Sequence, residues 1–227
     1  MRPSVLTCQE SFGSYNRAVH KDTFARGTNA GGRAQRLELC LEFANTLHWH
    51  ASERPHETLQ NYEDFLAWTA AQRIVSPAEL AALARLARAA QLAAAVYRRA
   101  ISLREAIYRI FVARIAGKAP ARNDADVLNR ELLRALAHYR IEFDAEGPTW
   151  RRARQGPQLD GPLWPIVQSA SELLLSQDLR ERVGQCADPA GCGWLFLDLS
   201  KNRSRRWCSM QDCGNRAKQR RLQVRPK

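Results

Sequence analysis

Four cysteines near the end of the chain constrain its fold more strongly than any other feature of the sequence. Cys186 and Cys192 enclose five residues, fifteen residues follow, and Cys208 and Cys213 enclose four. Two close pairs joined by a short spacer are typical of a tetrahedral structural zinc site, in which each pair lies on a tight loop that directs both thiolates inward. Disulfide bonds and four unlinked thiols are the alternatives. We predict one zinc ion per chain, and because four cysteines fill its coordination sphere, the site should be structural and not catalytic.

The expected compartment bears on these alternatives. The sequence contains no run of about 18 apolar residues, so no membrane span is expected. Its first 35 residues lack the apolar segment of a secretory signal peptide. We therefore expect a cytoplasmic protein, in which thiols stay reduced and close cysteine pairs bind metal more often than they form disulfides.

The positive charge of the chain is concentrated around the second cysteine pair. The formal net charge is +12, and residues 200–227 carry ten lysines and arginines against a single acid, Asp212, so nine of the twelve net charges lie there. Such an asymmetry indicates a polyanionic partner, nucleic acid before membrane. A solvated basic tail is the alternative.

The sequence before the cysteines predicts a mainly α-helical domain with one small β-hairpin. Residues 1–35 are polar and glycine-rich without a period, and we expect them to be disordered. Residues 36–180 carry helical apolar periods, the first of them over residues 36–50. This length is enough to bury one hydrophobic core.

Several signals divide residues 36–180 into elements. Asn61 is a helix N-cap candidate, and Ser76 begins the capping box "SPAEL". A break is expected near residues 89–93, since one helix from Pro77 onward would be too long for a compact domain. Residues 138–154 alternate as in a β-hairpin.

Residues 181–227 are predicted to form a small, treble-clef-like zinc finger. The stretch 194–208 between the cysteine pairs alternates and predicts a second β-hairpin, and the residues after Cys213 can begin a helix. Because this part has few apolar residues, we expect metal binding to supply its folding energy and the helical domain to fold without it.

Around the second cysteine pair the sequence resembles the CGNR zinc finger family. The tetrapeptide Cys213-Gly214-Asn215-Arg216 is preceded by "RRWCSM", and "GWLFLDLSKN" is similar to the strand and turn of that family. The helical part resembles the ABATE domain through "LEFANT" (41–46), "LREAIYRI" (103–110) and Leu128-Asn129. This resemblance implies a bacterial transcription regulator, with a helical sensory or regulatory domain on a DNA-binding finger.

We predict that the finger binds double-stranded DNA. On a helix after Cys213, Arg216 and Arg220 share one face, and Asn215 and Gln219 form the neighbouring stripe; arginine and asparagine or glutamine read guanine and adenine edges. The expected phosphate contacts are Lys201, Arg203, Arg205, Lys218, Arg221 and Arg225. A brace for the zinc site is the alternative role of Arg216.

Other functions remain open from the sequence. A zinc-braced protein-interaction or RNA-binding module is the alternative to sequence-specific DNA recognition. No catalytic signature is present, and we expect no enzyme activity. Asn45, Thr46, Arg104 and Asn129 are polar residues on apolar helical segments, so they either form a pocket for an unknown small-molecule effector or tie helices together. A homodimer would raise the affinity of one small finger for DNA.

Overall fold

A computed structural model describes residues 29–145, 147–153 and 156–223 of this chain. Within these residues the architecture is mainly α-helical with three small antiparallel sheets, which confirms the predicted fold class. The helices are α1 (Asn29–Ala44), α2 (Tyr62–Ala71), α3 (Pro77–Leu86), α4 (Ala90–Ile115), α5 (Arg122–Leu136), α6 (Leu163–Leu175), α7 (Gln177–Arg180) and, after a π-helical turn (Met210–Gly214), α8 (Asn215–Gln223). The paired strands are β1 (Leu47–His48) with β2 (His56–Glu57), β3 (Tyr139–Asp144) with β4 (Gly147–Arg152), and β5 (Val183–Gln185) with β6 (Leu195–Leu197).

Both predicted helix N-caps, Asn61 and Ser76, form their capping hydrogen bonds. The side chain of Asn61 accepts a hydrogen bond from the Asp64 N–H at 2.9 Å. Ser76 Oγ accepts from the Glu79 N–H at 3.2 Å, and a carboxylate oxygen of Glu79 accepts from the Ser76 N–H at 3.0 Å, so the capping box is complete. Helix α3 ends at Leu86 and α4 begins at Ala90, close to the predicted break.

Helix α1 differs from the prediction at both ends. It begins at Asn29, before the expected start at residue 36, while residues 1–28 of the segment predicted to be disordered lie outside the described residues. It ends at Ala44, whereas the apolar period continues to residue 50. The chain leaves the helix because Asn45 uses its side-chain amide for a distant strand, and Leu47–His48 then pair with His56–Glu57.

The contacts divide the chain into Met1–Arg36, of which only the beginning of α1 is described, and one compact unit from Leu37 to Lys227. Within that unit, a single apolar cluster includes buried residues of the helices and of the β5–β6 sheet. Phe43, Ile107 and Val167 belong to it, and so do Val183 and Leu195. The predicted boundary at residues 180 and 181 coincides with the end of α7, yet the core continues across it.

The strand after the first cysteine pair has a different partner from the one we predicted. We expected residues 194–208 to fold back on themselves, but β6 pairs with β5, which precedes Cys186. The following residues form a loop because the two carboxylate oxygens of Asp198 accept hydrogen bonds from the backbone N–H groups of Ser200 and Arg205. The predicted hairpin at residues 138–154 is formed by β3 and β4.

No single helix in the described part of the chain is long and apolar enough to cross a membrane. Helices α3 and α4 together meet the length and composition required, but they meet at a bend of 118°.

Candidate metal centre and nucleic-acid surface

The four cysteines lie on two loops that the fold brings together. Cys186 follows β5 directly and Cys192 precedes β6, while Cys208 follows the loop after β6 and Cys213 lies in the π-helical turn before α8. The tight turn at Cys192 needs its flanking glycines. Gly191 and Gly193 have φ angles of +87° and +68°, and a Cβ at either position would lie 2.7 Å from the backbone of residues 51–52.

The spacing of the sulfur atoms matches zinc. All four Sγ atoms lie within 4.8 Å of one another, with Cys192 to Cys208 at 3.8 Å and Cys208 to Cys213 at 3.4 Å. Tetrahedral zinc with Zn–S bonds of about 2.3 Å requires sulfurs about 3.8 Å apart, far longer than the bond of about 2 Å in a disulfide. The predicted ligand set for one zinc ion is therefore confirmed, and all four positions are supplied by protein sulfur.

The groups around the four cysteine sulfurs, here called the cage, favour bound thiolates. Trp49, Trp194 and Trp207 pack around the cysteines. Arg216 donates from Nη2 to the Cys213 Sγ at 2.8 Å, and its guanidinium lies 5.0 Å from the centre of the Trp49 ring. A bound zinc ion with four thiolates would leave a net charge of −2, which Arg216 partly offsets.

The fifth cysteine of the described residues lies apart from the cage. Cys40 is fully buried in α1, where its backbone N–H donates to Ser169 Oγ at 3.0 Å. Burial raises the pKa of its thiol to about 12. Cys40 is therefore a neutral core residue, as its place in an apolar helical period predicts.

A buried aspartate that the sequence did not reveal organises the helix after the cage. The Asp188 side chain is 0% exposed, and its two oxygens bind Arg216 Nε at 3.1 Å and Arg220 Nη1 at 2.9 Å. Burial opposes its ionisation, but the hydrogen bond from the Ala190 N–H and the Arg216 guanidinium hold its pKa below the ordinary value. The two predicted base-reading arginines are thus turned toward Asp188, with 38% and 42% of their side chains still exposed.

The opposite face of α8 is open to solvent. Ala217 is buried, whereas Asn215, Lys218, Gln219 and Arg221 are exposed. The Asn215 amide donates to the Gln211 carbonyl at 2.9 Å. The predicted polar stripe of Asn215 and Gln219 is therefore the outward face of α8, and Lys218 and Arg221 both lie along one side of it.

The loop after β6, here called the basic loop, carries three of the predicted phosphate contacts, Lys201, Arg203 and Arg205, whereas the predicted contact Arg225 lies outside the described residues. Lys201, Arg203, Arg205 and Arg206 are all exposed. Arg203 approaches Glu181 at 3.7 Å, and the Arg205 guanidinium lies 4.4 Å from the centre of the Phe196 ring. Arg205 also donates to the carbonyl oxygens of Trp207 and Cys208, so it ties the loop to the cage.

Two of the four predicted pocket residues, Thr46 and Arg104, contact each other, while Arg104 and Asn45 are bonded to neighbouring protein groups. Arg104 is 1% exposed and donates two hydrogen bonds of 2.6 Å to the Glu57 carboxylate. Its Nη1 also reaches Thr46 Oγ1 at 3.4 Å, and Asn45 bonds the backbone of Leu195. These contacts favour the helix-tie interpretation. Asn129 lies on α5, at a separate cavity.

A second connection that sequence reasoning missed joins the helices to the strand before Cys186. The His50 ring stacks on the Tyr108 ring with centroids 3.4 Å apart, and His50 Nε2 lies 2.9 Å from a Glu105 carboxylate oxygen. The Tyr108 hydroxyl accepts from Gln185 Nε2 at 2.8 Å. These partners are far apart in sequence and carry no local pattern that could have identified them.

Comparison with known families agrees with this arrangement. The ABATE family model, described as "Putative stress-induced transcription regulator", matches residues 37–177, and the CGNR zinc finger model matches residues 182–226. No curated protein matches the chain. The first model covers more than half of the sequence, and the second covers the whole cysteine cage. The chain therefore belongs to the ABATE family and carries a CGNR zinc finger after the ABATE domain.

Proposed function

We propose that the chain is a DNA-binding transcription regulator in which the zinc cage orients a basic surface against duplex DNA. The observation that carries this proposal is a group of exposed cations on the two segments tied to the cage. Lys201, Arg206, Lys218 and Arg221 are exposed and form no ion pair with any acid in the described part of the chain. Cations that the protein leaves unpaired are available to phosphates.

Helix α8 is the element best suited to a groove. Its nine residues span about 13 Å, and its outward face offers the amides of Asn215 and Gln219, which can bond adenine edges in a major groove. Lys218 and Arg221 lie together on one side of these amides and would meet the phosphates on that side of the groove. The zinc cage and the bonds from Asp188 hold the inner face of the helix, so its orientation is defined before DNA arrives.

The decisive experiment is a titration of zinc-loaded protein with genomic duplex fragments at several salt concentrations. If about four phosphates are engaged, log affinity should fall with log salt at a slope of about −3.6. Lys218→Ala and Arg221→Ala should each flatten the slope by about one phosphate contact, or about 0.9. Arg88→Ala, which removes an exposed cation from the turn after α3, is the matched control and should leave the slope unchanged.

The same titration separates DNA from the other partners that the charge could meet. Duplex RNA, single strands and an acidic polypeptide are measured in parallel. Absence of affinity for any duplex DNA at low salt would overturn the proposal. Tighter binding to RNA or to the acidic chain would identify the basic surface as an RNA-binding or protein-interaction module. A homodimer on DNA stays a prediction, and the stoichiometry of the same complexes tests it.

A further inference from the structure

A cavity of about 400 Å³ lies among helices α4, α5, α6 and α7. Ile110, Leu128 and Leu174 give it an apolar wall, while Arg114, Asn129 and Arg180 give it polar groups. Its volume falls in the range of about 300–1,000 Å³ that is usual for small-molecule sites, and an apolar lining with a few convergent polar groups is their usual chemistry.

The charge of this cavity is of one sign. Arg114 and Arg180 both line it, and no aspartate or glutamate among the described residues does. Neither arginine forms an ion pair with an acid anywhere in the described ranges, although other arginines of this chain, such as Arg99 and Arg109, are bound by carboxylates. Two guanidinium groups without counter-ions beside an apolar wall are complementary to an anion.

Arg180 also carries a hydrogen-bond donor that has no acceptor among the described residues. Its Nη1 donates to the Leu174 carbonyl at 3.3 Å, which holds the side chain at the cavity. Its Nε is buried and has no acceptor among the described residues. A buried donor on a charged group is costly to leave unpaired, so this atom calls for an acceptor that the described protein groups do not provide.

We propose that this cavity binds a small organic anion with one carboxylate on an apolar body. The carboxylate accepts from Arg180 Nε and pairs with Arg114, and the apolar body packs on Ile110, Leu128 and Leu174. A compact, highly charged anion such as inorganic phosphate would leave this apolar wall without a partner, so the mixed lining favours the amphiphilic ligand.

The site lies at the start of the connection to the zinc finger. Arg180 ends α7, and two residues later Arg182 donates from Nη1 to the carbonyls of Asp198 at 3.2 Å and Ser200 at 3.3 Å. The Asp198 N–H in turn donates to the Arg182 carbonyl at 2.8 Å. A ligand that fixes Arg180 therefore acts on the segment that anchors the basic loop. Any effect of this ligand on DNA affinity rests on the proposed function, whereas binding of the ligand to the cavity does not.

The test uses the full zinc-loaded chain and octanoate as the probe, with octan-1-ol as the uncharged probe of equal length. Octanoate should bind at least tenfold more tightly than octan-1-ol by calorimetry. Arg180→Gln should lose at least tenfold in octanoate affinity and Arg114→Gln a few-fold. Arg130→Gln, an exposed position on α5 outside the cavity lining, is the control and should bind as the unaltered chain does.

A second measurement keeps the proposal testable if Arg180→Gln fails to fold. In the unaltered chain, the Nε–Hε resonance of Arg180 should shift on titration with octanoate and stay in place with inorganic phosphate at equal ionic strength. Equal binding of octanoate and octan-1-ol, or an unmoved Arg180 Nε–Hε resonance at saturating octanoate, overturns the proposal. Absence of DNA binding would leave these results unaffected, so the two proposals fail separately.

Discussion

The side chain of Asn45 pairs with the backbone of Leu195 as a neighbouring strand would. Its Nδ2 donates to the Leu195 carbonyl at 2.9 Å and its Oδ1 accepts from the Leu195 N–H at 2.8 Å. Both residues are buried, at 3% and 1% exposed. This pair joins the end of α1 to the strand between the first cysteine pair and the basic loop. The helical domain and the zinc finger are thereby connected by specific hydrogen bonds as well as by a common apolar cluster.

Replacement of Asn45 should therefore destabilise the whole unit. Asn45→Ala leaves one buried N–H and one buried carbonyl of Leu195 unpaired, and we expect a loss of about 2–4 kcal/mol in the free energy of unfolding. Urea denaturation measures this change. Asn129→Ala, at an exposed position on α5, should change stability by less than about 0.5 kcal/mol. A small effect at Asn45 would show that the connection between the two parts is weak.

Removal of the metal should affect the helices as well as the finger. Because Val183, Leu195 and Leu197 lie in the same cluster as the helical core, loss of the cage releases part of that core. We expect a chelator to lower the melting temperature of the helical circular dichroism signal, with one transition and not two. The sequence by itself predicts the opposite, a finger that unfolds alone. Unchanged helical melting after chelation would support that earlier expectation.

Zinc content gives the companion measurement. Cys208→Ser should lose stoichiometric zinc, since it removes one of the four sulfurs of the cage. Cys40→Ser is the control because Cys40 lies in the helical core and not at the cage, and it should retain one zinc per chain. Full zinc content in Cys208→Ser would contradict the ligand assignment.

The features that could be predicted from the sequence are those encoded by nearby residues. The spacing of the cysteine pairs identifies the metal cage, the capping box at Ser76 marks the start of α3, and alternation identifies the β3–β4 hairpin. Each signal lies within a short window, so a single sequence contains the whole pattern.

The contacts that escaped prediction join residues far apart in the chain. Asn45 bonds Leu195, β6 pairs with a strand before Cys186, and Asp188 captures Arg216 and Arg220. An asparagine after a helix and an acid between two cysteines can each make many different hydrogen bonds, so the sequence alone does not identify their partners. For the same reason, Arg104 and Asn129 could be recognised as polar residues on apolar segments but not as members of different sites.

Arg104 provides a test of the helix-tie interpretation. Its guanidinium is buried and bound by Glu57, Glu105 and Thr46, so Arg104→Ala would leave the half-buried Glu57 without its partner. We expect a loss of about 3 kcal/mol in the free energy of unfolding, measured by urea denaturation. Arg98→Ala, an exposed change on the same helix, is the control. If Arg104→Ala were as stable as the unaltered chain, the tie would be dispensable and a ligand-binding role would be favoured.

Stability should depend on pH through Glu42. Burial raises the pKa of this carboxyl to about 7, and Glu38 one turn earlier adds to the rise, while Arg205 opposes it. The folded protein therefore holds more protons than the unfolded chain between pH 4.5 and about 7, and stability should fall as the pH rises through that window. Glu42→Gln should flatten this dependence and raise the stability at pH 8 by about 1–3 kcal/mol.

Denaturation at pH 5 and pH 8 measures the effect of Glu42. Glu53→Gln, in the exposed β1–β2 connection, is the control and should keep the pH dependence of the unaltered chain. A pH profile for Glu42→Gln that is identical to the unaltered one would show that the carboxyl ionises freely in the folded state.

The last prediction concerns the two arginines that Asp188 holds. Arg220 keeps 42% of its side chain exposed, so the guanidinium that bonds Asp188 through Nη1 can still direct its other donors outward. If Asp188 positions Arg220 for a base edge, Arg220→Ala should cost about 1–3 kcal/mol on the preferred DNA site and little on other sequences. Arg221→Ala, at the neighbouring exposed position, should weaken all sequences alike.

Asp188→Asn should lose part of the same sequence preference at full zinc content. The double variant Asp188→Asn with Arg220→Ala should lose no more preference than Arg220→Ala alone, because both changes act through one guanidinium. Competition titrations with preferred and unrelated duplexes measure these preferences. If Arg220→Ala lowers the melting temperature but leaves the preference unchanged, Arg220 is a brace for the zinc finger, and recognition of sequence falls to Asn215 and Gln219.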